Sequence, residues 1–163
     1  MRLALYQPDI PQNAGTLMRL GACLGVPVDL IEPAGFYTSD RTFRRAGMDY
    51  LSQVDLTRHA SFATFDSWRR GAGHRLVLLT TRGDVSHVEA EYHPGDILML
   101  GRETAGVPDD VHDLCDLRVV VPMRPALRSL NVAVAGALVL GEALRQTGGF
   151  HMAPAVMTQG QEI

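Results

Sequence analysis

The chain contains no lysine; all 15 of its basic residues are arginine. That absence removes the phosphate-binding lysine of P-loop proteins and any Schiff-base chemistry. Cysteine is nearly absent too. Cys23 and Cys115 are far apart, which supports neither a disulfide framework nor a cysteine-rich zinc site. Cys23 falls in an apolar helical pattern and is read as a core residue. The longest apolar run, Val132 to Leu140, is far too short to span a bilayer. Asp9 interrupts the N-terminal apolar run, so no signal peptide is expected and the cytosol is the default location. A Gly-x-Ser-x-Gly elbow is missing, and Gln7–Gly15 does not supply the Gly-x-Gly-x-x-Gly of a dinucleotide fold. The chain also lacks excess positive charge. Its net charge of −3 argues against nonspecific nucleic-acid binding, so any RNA contact must rest on local arginine clusters. His87 and His93 flank Glu89 and Glu91, but this spacing matches no zinc motif, and no metal is expected.

What is present suits one domain with a sizeable core: 163 residues, 46% of them hydrophobic and 20% charged. Short apolar runs at Leu3–Tyr6, Val28–Ile31, Gln53–Thr57, Leu76–Thr80, Ile97–Leu100 and Leu117–Val121 read as strands. Helical patterns cover Asn13–Leu24, Arg41–Ala46, Ser61–Arg70, Pro108–Asp113 and Asn131–Gln146. Strands alternating with helices predict an α/β fold whose mostly parallel sheet carries helices on both faces. Periodicity ends near Gly148, so residues 1–148 read as one domain and residues 149–163 as a flexible tail.

Three segments carry chemistry. Arg128-Ser129-Leu130-Asn131 stands immediately ahead of a small-residue apolar run. Ser and Asn are ordinary helix-starting residues, and a buried helix that starts here presents polar groups and free N–H donors to whatever precedes it. Leu98-Met99-Leu100-Gly101-Arg102-Glu103-Thr104-Ala105-Gly106-Val107-Pro108 is an apolar strand followed by a turn with Gly at both ends, the place where open α/β sheets bind ligands. Pro11-Gln12-Asn13-Ala14-Gly15-Thr16-Leu17-Met18-Arg19 opens the first helix, with Arg19 nearly two turns in.

Taken in order, Asn13-x-Gly15-x-x-x-Arg19, Gly101-x-Glu103-x-x-Gly106-Val107 and Pro122 leading to Ser129-Leu130-Asn131 resemble the knotted SPOUT methyltransferases that act on the ribose 2′-hydroxyl of tRNA. Ile31-Glu32-Pro33, Arg44–Tyr50 and Thr57-Arg58-His59 look like the short branch that modifies the wobble nucleotide of the anticodon. Arg102 departs from that branch, where Pro is common, and Val132-Ala133-Val134 reads more like the general ribose-methylating family. These departures bear on the target nucleotide more than on the reaction.

The resemblance implies a C-terminal deep trefoil knot that sets the second and third motifs side by side. It implies S-adenosylmethionine as cofactor, without a metal, held by Leu79, Thr80, Gly101, Val121, Met123, Ser129 and Leu130. Without it, Leu79 and Val121 read as plain strand core. It points to Arg19, Asn13, Glu103, Ser129 and Asn131 as catalytic. Arg19 is either the base or a clamp on phosphate that stabilises the alkoxide, since arginine keeps its proton in almost any setting. Asn13 orients Arg19 or holds the ribose, its alternative being a helix cap. Glu103 pairs with an arginine, or is a loop carboxylate near a helix start. Ser129 and Asn131 bind cofactor carboxylate, substrate phosphate or Arg19. Arg124 and Arg128 suit phosphate contact, and Arg41, Arg44 and Arg45 form a second basic cluster. The implied partners are the tRNA anticodon stem-loop and a second copy of the chain, with the helix Val132–Gly141 as interface and Arg19 of one copy serving the other. No membrane is involved. A ribosomal-RNA methyltransferase of the same fold and a non-catalytic RNA-binding member are the rival readings.

Overall fold

The computed structural model describes residues 1–37 and 41–150. The strands are β1 (Arg2–Tyr6), β2 (Val28–Ile31), β3 (Leu56–His59), β4 (Leu76–Leu79), β5 (Val85–Ser86), β6 (Ile97–Leu100) and β7 (Leu117–Val120). They form one seven-stranded sheet in the order β3-β2-β1-β6-β4-β7-β5, and every pairing is parallel. The helices are α1 (Pro11–Leu24), α2 (Arg41–Gly47), α3 (Phe62–Gly71), α4 (Asp109–Asp113) and α5 (Val132–Thr147), with a 3-10 turn at Met48–Ser52. Among the described residues no helix is long and apolar enough to cross a membrane.

Both faces of the sheet are covered, which is why the strands are apolar at successive positions rather than at alternate ones. Leu3, Leu5, Val28, Leu30, Leu98 and Leu100 point to one side, where Leu17 and Met18 of α1 and Val139 and Leu140 of α5 close the core. Ala4, Tyr6, Ile31, Leu76, Leu78, Ile97 and Met99 point to the other, against Phe65 of α3 and Val111 of α4. Gly15 lets α1 approach α2. A Cβ there would stand 2.8 Å from the Cβ of Ala46 and 2.8 Å from the Phe43 carbonyl oxygen, closer than side chains tolerate.

The structure differs from the sequence expectation in four places. β3 lies at Leu56–His59 rather than Gln53–Thr57, because Gln53 caps the 3-10 turn by donating its N–H to the Tyr50 carbonyl. β5 was not expected; two residues leave no periodicity to read. Cys23 is exposed, on the outer side of α1, and is not a core residue. α5 is buried along one side only, through Ala133, Gly136, Val139, Leu140, Ala143 and Leu144, while Val134 and Leu138 remain exposed. An apolar run on a helix does not by itself say how many faces are covered. α5 ends at Gly148 in the left-handed conformation. Most of the segment read as a tail, residues 151–163, lies outside the described residues.

Candidate active site

The C-terminal ends of β1, β6, β4 and β7 open onto one cavity of about 610 Å³. Leu79 and Thr80 come from the end of β4, Gly101, Arg102, Glu103, Ala105 and Gly106 from the turn after β6, and Val121 and Met123 from the segment after β7. Arg128, Ser129, Leu130 and Asn131 lead into α5, and Ile10 and Asn13 belong to the start of α1. The three segments singled out in the sequence therefore meet around a single space.

The turn after β6 is closed by two backbone hydrogen bonds between Arg102 and Gly106, at 2.9 and 2.8 Å. Gly101 is needed for that closure. A Cβ at this position would stand 2.7 Å from the carbonyl carbon of Gly106. The turn thus brings bare backbone to the cavity wall, where a ligand can approach it closely.

Asn13 is buried in the first turn of α1 and does not cap it. The helix starts two residues earlier, with Pro11 at its head and Ile10 in the capping position. The Asn13 amide is instead turned across the motifs. Its Nδ2 donates to Glu103 Oε1 at 3.1 Å, and its Oδ1 accepts from Asn131 Nδ2 at 2.9 Å. Asn131 uses its own Oδ1 to accept from the N–H groups of Ala133 (2.9 Å) and Val134 (3.3 Å), so it caps α5 while bonding Asn13. A chain of hydrogen bonds Glu103–Asn13–Asn131 thus fixes the orientation of both amides.

Among the described residues Glu103 pairs with no arginine; it accepts from Asn13 and from the Asp9 N–H, each at 3.1 Å. Burial raises its carboxyl, and so does its side-chain hydrogen bond with Asp9, against the opposing effects of the Asp9 and Asn13 N–H donors. Asp9 is held down to about 2: burial pushes it up, but hydrogen bonds from Glu103 and Thr104 outweigh that.

Arg19 is placed apart from this cluster. It is exposed on α1, is not among the described residues that line the cavity, and lies with its guanidinium carbon 5.0 Å from the centre of the Tyr50 ring. Arg128 lines the cavity and Arg124 does not. Arg41 and Arg45 are exposed on α2, and the Arg44 side chain lies outside the described residues. His93 comes within 3.5 Å of Glu91, but no group of three or more metal-ligating side chains occurs among the described residues. Burial pushes the Cys115 thiol up to about 12, so it is inert as a nucleophile. Sequence reasoning assigned no site role to Asp9 or Arg82, and noted Arg102 only as a departure from the family pattern. A carboxylate two residues before a Pro-headed helix was the only local signal for Asp9.

The cavity suits an amino-acid-bearing nucleoside in size and in lining. Leu79, Leu100, Val121 and Leu130 give apolar walls, and Arg128, Ser129 and the open backbone of the Gly101 turn give polar edges.

A family profile, the SpoU rRNA Methylase family, matches residues 1–141. The chain is 63% identical over 146 residues to a tRNA (cytidine(34)-2′-O)-methyltransferase of Beijerinckia indica, covering 90% of this chain and 91% of that one. It is 39% identical over 150 residues to the protein of that name from Escherichia coli K12, covering 91% and 94%. A structure solved to explain 2-OH methylation of C/U34 on tRNA superposes with a TM-score of 0.85 at 43% identity, over 89% of this chain and 94% of that one. The SpoU methyltransferase AviRb from Streptomyces viridochromogenes, in complex with the cofactor AdoMet, superposes at 0.81 and 29% identity, over 90% of this chain and 57% of that one.

Proposed function

The chain belongs to the SpoU rRNA methylase family, and on that premise we propose that it transfers a methyl group from S-adenosylmethionine to the ribose 2′-hydroxyl of the wobble nucleotide, cytidine or uridine 34, of tRNA. The observation that carries this reading is the meeting of three motif segments around one cavity, cross-braced by the Glu103–Asn13–Asn131 hydrogen bonds. The names of the relatives at 63% and 39% identity support the position and the sugar oxygen. The substrate places the work in the cytosol, and the trefoil knot is part of the proposal.

S-adenosylmethionine supplies an electrophilic methyl group on a sulfonium sulfur. The chain's residues then have three tasks. Leu79, Val121, Met123 and Leu130 shield an adenine from water, while Thr80 and the Gly101 turn offer it polar backbone partners. Arg128 and Ser129 sit where they can receive a carboxylate or a phosphate. Asn13 and Asn131, their rotamers locked, hold the ribose so that O2′ lies in line for attack.

The hydroxyl must also lose its proton as it attacks, and this is where Arg19 acts. The guanidinium lies over the Tyr50 ring, and arginine does not give up its proton readily. Arg19 therefore works as a cation that binds phosphate and stabilises the developing alkoxide, with the proton leaving to solvent. Because Arg19 is not among the described residues that line its own cavity, it serves the cavity of a second copy in a homodimer. Val134 and Leu138 on the outer side of α5 are exposed, as are Leu127 and Leu130 in the segment leading into it, and offer apolar surface for that contact.

The test is methyl transfer from labelled cofactor to total tRNA, followed by mass mapping. Label at the 2′-oxygen of nucleotide 34 is expected. Label on another ribose moves the substrate and leaves the chemistry; no label in any RNA removes the activity.

A further inference from the structure

Asp9 is absent from every motif considered so far, yet it holds the motifs together. It lies in the loop between β1 and α1, where the Pro8 carbonyl accepts from the Gly35 N–H at 2.8 Å. Its own N–H donates to Glu103 Oε2 at 3.1 Å, and its Oδ1 accepts from the Glu103 N–H at 3.1 Å. Its Oδ2 accepts from the Thr104 hydroxyl and faces Arg102 Nε at 3.6 Å. Two loops 94 residues apart are thus bonded reciprocally, backbone to side chain in both directions. Each bond fixes the partner of the other.

We infer that Asp9 is a positioning residue for the methyl-transfer site, acting through Glu103. The argument is geometric. A carboxylate on a glycine-rich turn is free to swing, and Glu103 Oε1 must stay on Asn13 Nδ2 if Asn13 is to present its Oδ1 to Asn131. Asp9 removes that freedom twice over, pinning the Glu103 backbone through Oδ1 and its side chain through the backbone N–H. The Thr104 hydroxyl and the Arg102 guanidinium hold the Asp9 carboxylate in the one rotamer that does this. Asp9 itself is not among the described residues that line the cavity, so its effect travels through the turn it holds, chiefly through Glu103 and on to Asn13.

This inference rests on the proposed methyl transfer for its kinetic arm, and a second arm is independent of it. Hydrogen exchange over residues 101–106 is followed in the full chain for wild type, Asp9→Ala and Asp9→Asn. Asp9→Asn keeps the volume and one acceptor, and serves if Asp9→Ala does not fold. Exchange in the turn is expected to rise about tenfold or more in Asp9→Ala, and less in Asp9→Asn, because the turn then opens locally. An unchanged exchange pattern overturns the inference, whether or not any RNA is methylated. In the kinetic arm, Asp9→Ala is expected to lower kcat about 10–100-fold, as misplacement by an ångström does, with KM for S-adenosylmethionine changed far less. Added to Glu103→Ala, Asp9→Ala should cost much less than it does alone, because only its hold on the turn backbone is left to lose; fully independent losses in the double variant overturn the route through the Glu103 side chain. A wild-type protein that methylates no tRNA ends the functional reading and leaves the exchange arm to decide this one.

Discussion

At the scale of single residues, the site separates groups that hold from groups that react. Arg19 sits on the Tyr50 ring, outside its own cavity. Arg19→Ala should therefore cost about 10²–10⁴-fold in kcat, the range for loss of an oriented charge or proton-transfer group, while leaving cofactor affinity intact. Steady-state kinetics and calorimetry check the two halves separately, and a fall in cofactor affinity would place Arg19 in the cavity after all. Arg19→Lys should stay poorly active, because an ammonium lacks the planar fork and stacks less well on the phenol. Asp9 gives a prediction in pH. Its folded-state value of about 2 lies below the ordinary 3.8, so its contribution to stability is present above 3.8 and is lost as pH falls towards 2. Glu103 runs the other way: its raised value contributes stability at low pH that is lost as pH rises through it. Thermal melts should show the wild type losing stability between about pH 4 and about pH 2, with that loss reduced in Asp9→Asn. Equal slopes in the two proteins would mean that the Asp9 hydrogen bonds carry no net stabilisation.

At the scale of elements, the turn after β6 is where a single atom matters. Gly101→Ala puts a methyl group 2.7 Å from Gly106, against backbone that cannot move aside as a flexible side chain would. Opening the Arg102–Gly106 bridge should weaken cofactor binding about tenfold or more while leaving the sheet folded, since the strand before the turn is anchored on both sides by β1 and β4. Isothermal calorimetry beside circular dichroism separates the two effects. Elements of this kind were also the most legible in the sequence. Ile97–Leu100 matched its strand residue for residue, because a fully buried parallel strand is a continuous apolar run with sharp ends, and Val28–Ile31 matched too although Asp29 stands inside it, buried and paired with Arg2. Asn131 was readable as a helix start because the side chain that caps α5 is the one that marks it. What could not be read were relations across the chain. Asn13 looked like a cap because its partners, Glu103 and Asn131, lie 90 and 118 residues away. Asp9 carried no periodicity and no motif, and Cys23 looked buried because periodicity does not reveal which side of a helix lacks a neighbour.

At the scale of the whole molecule, the separation of Arg19 from its own cavity, together with the exposed apolar strip of Val134 and Leu138, calls for a second copy. The net charge of −3 gives no general attraction to RNA, so binding should be weak and sensitive to salt. Ala137→Arg places a charge on the outer side of α5, where residue 137 is exposed, and should shift the protein towards monomer in light scattering. The sharper experiment mixes two impaired variants, at a cofactor concentration too low for Gly101→Ala to turn over. Arg19→Ala keeps an intact cavity but offers no guanidinium; Gly101→Ala offers the guanidinium but has a damaged cavity. If each site draws Arg19 from the other copy, a heterodimer of the two holds one complete site and one doubly damaged site. Random exchange at equal amounts makes half of the dimers heterodimers, so activity should return to about a quarter of the wild-type value in a two-fold symmetric assembly. If Arg19 instead acts within its own chain, every site in the mixture carries one lesion or the other, and the mixture stays as inactive as its parts. Activity after subunit exchange therefore decides whether the reacting site is built from one chain or from two.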